Sequence, residues 1–160
     1  MAISTIGQNG LQQSRILTAV QQPAGAVLQV VEGSTQSETF TTSATYVSTN
    51  LSASITPTST TSKILVIVSA TIYVSSSAQN VNATVYRGGT DIASAYSSGV
   101  LFFGDGPTGW AKCATTILDS PASTSSLTYF LYLKASSAGT NVGANRNTTR
   151  NSIILVEVAA

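Results

Sequence analysis

Apolar and polar positions alternate along most of this chain. The longest stretch is Ser62-Lys-Ile-Leu-Val-Ile-Val-Ser-Ala-Thr-Ile-Tyr-Val-Ser75. Read with a period of two, Ile64, Val66, Val68, Ala70, Ile72 and Val74 share one face, and Leu65, Ile67, Ser69, Thr71 and Tyr73 share the other. The first face is apolar throughout, while the second begins apolar and turns polar. This predicts a central strand with one face in the core and the other covered at one end only. Ile, Val and Thr are stiff at χ1 and disfavour a helix here. The run is also too short, and too interrupted by Ser and Thr, to span a membrane.

The same reading yields further strands. Gly25-Ala-Val-Leu-Gln-Val-Val-Glu32 is the first, ended by a turn at Gly33. Two short polar segments follow, with Phe40, Tyr46 and Leu51 as expected inward anchors, and residues 51–55 alternate cleanly. After the central strand, Val81, Ala83 and Val85 should point in, and Asn82 and Thr84 out. Arg87-Gly-Gly-Thr-Asp91 signals a hairpin, with residues 92–96 as its returning strand. Residues 97–109, rich in glycine, read as a loop with an aromatic plug, and residues 110–118 as a strand. Residues 127–134 form a strand apolar on both faces, residues 135–150 a polar loop, and residues 151–158 the closing strand. About eight to ten strands with no helix in the body predict an all-β sandwich or barrel, and eight strands in two sheets is the jelly-roll number.

Residues 1–24 differ from the rest. They contain no acid and one base, Arg15, and are rich in Gln, with Ile3, Ile6, Leu11, Ile16, Leu17 and Val20 as their apolar side chains. Helix formers over 11–21 allow a short helix that Pro23 and Gly25 would stop, but the apolar stripe is poor. We read 1–24 as an arm ordered by a partner, and 25–160 as the β domain.

The totals sharpen this picture. The chain has 160 residues, enough for one domain with its own core. Only 8% are charged, against ~25% in an average soluble protein, and Ser, Thr, Asn and Gln take their place. Disorder would go with low hydrophobicity and high net charge, whereas 42% is hydrophobic and the net charge is +1. The seven basic residues are scattered, which argues against nucleic acid as a partner. Low charge also removes a usual defence against self-association. The N-terminus lacks the basic start and apolar core of a secretory signal.

Little catalytic chemistry is available. There is no histidine, so Ser-His-Asp and Cys-His catalysis and histidine-bound metals are excluded. The single Cys113 reads as a small buried apolar side chain. Gly104-Asp-Gly-Pro-Thr-Gly109 lacks the Lys-Ser/Thr ending of a phosphate loop and reads as a turn. Glu32, Glu38, Asp91, Asp105, Asp119 and Glu157 show no short-range pairing for acid-base work, and turn roles are expected for Asp105 and Asp119 rather than calcium binding. Lys134 and Glu157 should face solvent or pair across an interface. Tyr73, Tyr86, Tyr96, Trp110, Tyr129 and Tyr132 read as core or subunit contacts, with a glycan-binding face as the alternative.

Several segments, taken in order, resemble a β domain of tailed-phage virion proteins. They are Gly25-Ala-Val-Leu-Gln-Val-Val, Ser54-Ile-Thr-Pro-Thr-Ser-Thr-Thr-Ser-Lys-Ile-Leu-Val66, Val85-Tyr-Arg-Gly-Gly-Thr90, Leu118-Asp-Ser-Pro-Ala-Ser123 with Thr128-Tyr-Phe-Leu-Tyr-Leu, and Asn151-Ser-Ile-Ile-Leu-Val-Glu-Val158. The resemblance covers residues 25–158 and implies a jelly-roll-like head assembled as a trimer, with no catalytic residue and no cofactor. Fibres of this group carry a long shaft before the head. Here about 24 residues precede it, reaching at most about 80 Å when extended.

The expectation is therefore a non-enzymatic virion protein, a homotrimeric capsid decoration or cement protein that partners the major capsid protein or another virion protein. Its anchoring residues would be Ile3, Ile6, Leu11, Arg15, Ile16, Leu17 and Val20, and its trimer contact Phe130, Tyr132, Ile154 and Val156. The alternative is a fibre head that binds host glycans through a loop carrying Phe102, Phe103 and Trp110. Neither reading calls for metal, nucleic acid or membrane.

Overall fold

The computed structural model describes residues 22–75, 79–95, 101–103 (backbone only) and 108–160. Among these residues the chain forms strands and turns and no helix. The strands are β1 (Val27–Thr35), β2 (Thr39–Thr41), β3 (Val47–Ile55), β4 (Lys63–Val74), β5 (Val81–Arg87), β6 (Thr90–Asp91), β7 (Leu101–Phe103), β8 (Gly109–Asp119), β9 (Leu127–Ala135), β10 (Val142–Ala144) and β11 (Asn151–Val158).

Two antiparallel sheets pack into a sandwich. The first runs β1-β11-β4-β8, with β10 and β2 extending from the far end of β4, and the second runs β3-β9-β5, with β6 and β7 sharing the outer edge of β5. With the short β2, β6 and β10 set aside, the pairing is nested. First pairs with last (Val31 with Leu155), second with seventh (Ala53 with Tyr129), third with sixth (Val68 with Thr115), and fourth with fifth (Asn82 with Phe102). A ribbon folded back on itself and then wrapped into two sheets gives this order, the double Greek key of a jelly roll.

β4 is the axis of the first sheet. β8 covers one edge along residues 64–74, while the other edge pairs with β11 over 63–69 and with β10 over 72–74. Its inward face, Ile64, Val66, Val68, Ala70, Ile72 and Val74, is buried against Leu51, Ile55, Val81, Val85, Leu131 and Leu133 of the second sheet. The fork between β10 and β11 is held by Asn151. Its side-chain oxygen accepts from the Thr71 N–H and hydroxyl (both 2.9 Å), and its amide donates to the Arg146 and Thr149 carbonyls (both 3.0 Å). Gly33 marks a close approach of the two sheets. A Cβ there would lie 1.8 Å from the Ser52 carbonyl oxygen.

Polar groups close the interior at both sheets. Asp119 of β8 accepts from Arg87 (2.5 Å) and from the Tyr129 hydroxyl (2.8 Å), tying β8 of the first sheet to β5 and β9 of the second. Burial, followed by the Asp119 contact, pushes the Tyr129 pKa upward. Glu157, expected at solvent or at an interface, is instead fully buried. It faces inward in register with Ile153 and Leu155, and accepts from Gln29 Nε2 (2.6 Å), Thr58 N–H (2.7 Å) and Thr58 Oγ1 (2.7 Å). Burial alone would raise its pKa, but these hydrogen bonds outweigh burial and hold it below the usual carboxylate value.

The structure corrects other expectations. Phe40 is not an inward anchor. It is 48% exposed and lies outside the first sheet, because its partner in register is Gly143, which has no side chain to compete for the space. Residues 101–103 are a strand on β5, not part of a loop. Residues 92–95 are a turn, so the returning strand of the hairpin is only Thr90–Asp91. The polar loop at 135–150 contains the buried strand β10. Asp119 has the inter-sheet role given above, not a turn role, while Asp105 lies outside the described residues.

Candidate functional site

The outer face of the first sheet is built in cross-strand rows, because residues in register on neighbouring antiparallel strands point the same way. One row is Val30, Val156, Leu65, Leu118, apolar across all four strands. The next is Glu32, Ile154, Ile67, Thr116, and beyond it comes Ser34, Ser152, Ser69, Ala114. On the opposite side of the apolar row, Val27 pairs with Val158 and Val158 with Lys63. Val27, Val30 and Leu118 are 61%, 60% and 56% exposed, and Ile67, Leu65, Ile154 and Val156 are half-buried. Water thus meets a continuous apolar band at one end of this face and hydroxyls beyond it.

At the far end of the same face stands an aromatic trio. Phe40 packs on Tyr73 (5.8 Å between ring centroids) and on Trp110 (5.8 Å), and Tyr73 meets Trp110 at 5.2 Å. The Arg146 guanidinium sits 5.8 Å over the Trp110 ring. Where β1 ends and β11 begins, a shallow cleft of about 450 Å³ is lined by Ser34, Thr35, Gln36, Thr148, Thr149, Arg150 and Asn151.

The outer face of the second sheet carries a different cluster. Tyr86 stacks on Tyr132 at 4.1 Å, Phe130 meets Tyr132 edge-on at 6.5 Å, and Tyr46 meets Tyr86 at 6.2 Å with Lys134 Nζ 4.5 Å over the Tyr46 ring. Burial, and then the nearby Asp91, push the Tyr46 pKa to about 12. Thr84 donates to Asp91 (2.8 Å), which also accepts from the Ala93 N–H (2.9 Å).

The four residues expected to form one trimer contact are therefore divided. Phe130 and Tyr132 lie on the outer face of the second sheet, and Ile154 and Val156 on that of the first. Trp110 is on strand β8, half-buried, rather than on a loop. Phe102 and Phe103 have their backbone in β7, but their side chains lie outside the described residues, as do Ile3, Ile6, Leu11, Arg15, Ile16, Leu17 and Val20. Sequence reading missed Val27, Val30, Leu118, Phe40 and Arg146 as surface features. The two-sided apolar start of β4 was the available signal for the first three, since Leu65 needs neighbours of like character.

The acids among the described residues serve the fold. Besides Asp91, Asp119 and Glu157, Glu32 pairs with Arg150 (2.6 Å) and Glu38 accepts from the Asn147 N–H (3.2 Å). Cys113 is half-buried against the core, and burial pushes its thiol pKa up, so it is not poised as a nucleophile. Among the described residues no three His, Cys, Asp or Glu side chains gather as a metal site. Compared with protein-family models and with curated proteins, the chain gives no match.

Proposed function

We propose that the protein is a non-enzymatic structural subunit of a tailed-phage virion: a trimeric jelly-roll knob that decorates the capsid and attaches through its N-terminal arm. The observation that supports this reading is the character of the two outer sheet faces. Both carry apolar, aromatic and hydroxyl side chains where a free monomer would carry charge, and such faces mark contact surfaces. Five of the six acids are engaged in holding the fold, which also favours a structural role. Contact between knobs falls to the second sheet, where Phe130 and Tyr132 stand among Tyr86 and Tyr46.

Light scattering at micromolar concentration should give about three times 16.4 kDa, and Phe130→Asp should return the mass to that of one chain. A single-chain mass for the unaltered protein would overturn the trimer. In the full chain, Ile3→Asp with Ile6→Asp should abolish attachment to capsids, seen by electron microscopy, without changing the mass of the free protein. Normal decoration by that variant would overturn the anchoring role.

The Phe40–Tyr73–Trp110 trio with Arg146 favours a second reading, recognition of a host glycan by stacking of a sugar ring under a cation. Trp110→Ala should then abolish binding on a glycan array while the melting curve persists. An array on which the unaltered protein binds nothing would remove this reading.

A further inference from the structure

The apolar band on the first sheet is open at its sides, and the chain arrives at its edge. Val27 and Val30 of β1 form one margin of the band. Just ahead of them the backbone is fastened by Gly25 N–H to the Ala159 carbonyl (2.8 Å) and turned by Ala26 N–H to the Pro23 carbonyl (3.0 Å), with Gly25 at φ 85°. Shortly before this turn comes Ile16-Leu-Thr-Ala-Val-Gln21, an uncharged run in which Ile16 and Val20 would share one face of an extended chain with Thr18 between them.

We propose that residues 16–20 of the same chain lie extended across this band, with Val20 over Val30 and Ile16 over Leu118. Three features single out this occupant. The first is reach: four strands at ~4.8 Å spacing span about 14 Å, and five extended residues cover about 16 Å. The second is size. The band offers seven apolar side chains, Val27, Val30, Leu65, Ile67, Leu118, Ile154 and Val156, whereas a stable interface between rigid partners takes roughly 20–30 residues a side. It suits a single segment rather than a second domain. The third is tethering: a segment joined by a short linker meets its seat at an effective concentration of order millimolar, so modest burial suffices. This inference deepens the anchoring role of the arm. On this proposal the part next to the knob packs on its own sheet, which leaves the capsid contact to the residues ahead of Arg15.

Arg15 makes the test direct, because it is the only basic residue before Lys63. Trypsin should cut after Arg15 slowly in the full-length protein, and Leu118→Asp should speed that cut at least about tenfold, the factor that ~1.4 kcal/mol of lost seating gives. Leu118 is already exposed, so the substitution should leave the fold intact, and unchanged cutting at the later Lys and Arg sites checks this. Equal rates in the two proteins overturn the proposal. In a Cys113→Ser background, Ile16→Cys with Leu118→Cys should cross-link within one chain. Covalent dimers or trimers on a denaturing gel would assign the seat to a neighbour's arm, and no cross-link would leave the seat without this occupant; either result overturns the proposal. Neither measurement uses a capsid, so the virion reading can fail while this one stands, and the reverse.

Discussion

Two single residues show how closely this interior is specified. Gly33 sits where β1 passes over β3, and no side chain fits between its backbone and Ser52. Gly33→Ala therefore overpacks the sandwich edge by about 1–3 kcal/mol or more, and thermal melting should fall by at least about 3 °C. An unchanged melting temperature would mean that the sheets part there without cost. Glu157 is the other case. Its folded pKa lies below the ordinary value of 4.5, so its contribution is complete above that value and is lost as pH falls through the folded pKa. Melts between pH 7 and pH 3 should show stability dropping below about pH 4.5. Glu157→Gln should be less stable at pH 7 and flatter in acid. If both proteins lose stability in parallel, another group is responsible.

The elements divide by how local their causes are. The inward face of β4 could be read from sequence, because period-two apolarity survives wherever one face is buried, and Ile64, Val66 and Val68 are all fully buried. The orientation of β5 was equally clear, although its outward residues Asn82 and Thr84 are buried too. β10 was not readable. Val142-Gly-Ala144 is too short for alternation, and its burial comes from lying between β4 and β2, partners some 70 and 100 positions away. The outward turn of Phe40 has the same distant origin, in Gly143. No local pattern could announce Asn151 either, since its task is set by the gap that β10 and β11 leave beside Thr71. Asn151→Ala strands the Thr71 N–H in the interior and should cost roughly 2–3 kcal/mol, measured by urea unfolding. Asn151→Asp keeps the acceptor for Thr71 but buries a charge and sets a carboxylate oxygen against the Arg146 and Thr149 carbonyls, so it should cost at least as much as Asn151→Ala. A smaller loss for the Asp variant would place the strength of the fork in the Thr71 bonds alone.

At the scale of the whole molecule, the sequence indicated the fold class but not the distribution of surfaces. Apolar residues on both faces of a strand reveal that two layers are needed without saying which of them is solvent. Ile154 and Phe130 looked alike for that reason, yet they point in opposite directions from the sandwich. A closed ring of three copies cannot use opposite faces as its two complementary patches, since successive copies would stack in line rather than close. In the proposed trimer one face would serve the ring, which would leave the other for a different contact.

The nested pairing also governs how the molecule can form. β11 lies between β1 and β4, so the first sheet has a gap at its centre until the last strand is made. The chain can gather local hairpins such as β5–β6 early, but it cannot close its core before β11 is seated between β1 and β4. Non-local closure of this kind is slow, in the millisecond-to-second range for all-β domains. During that interval these strands, poor in charge, are open to other chains. Folding yield should therefore depend on chain concentration well before the stability of the finished knob becomes limiting.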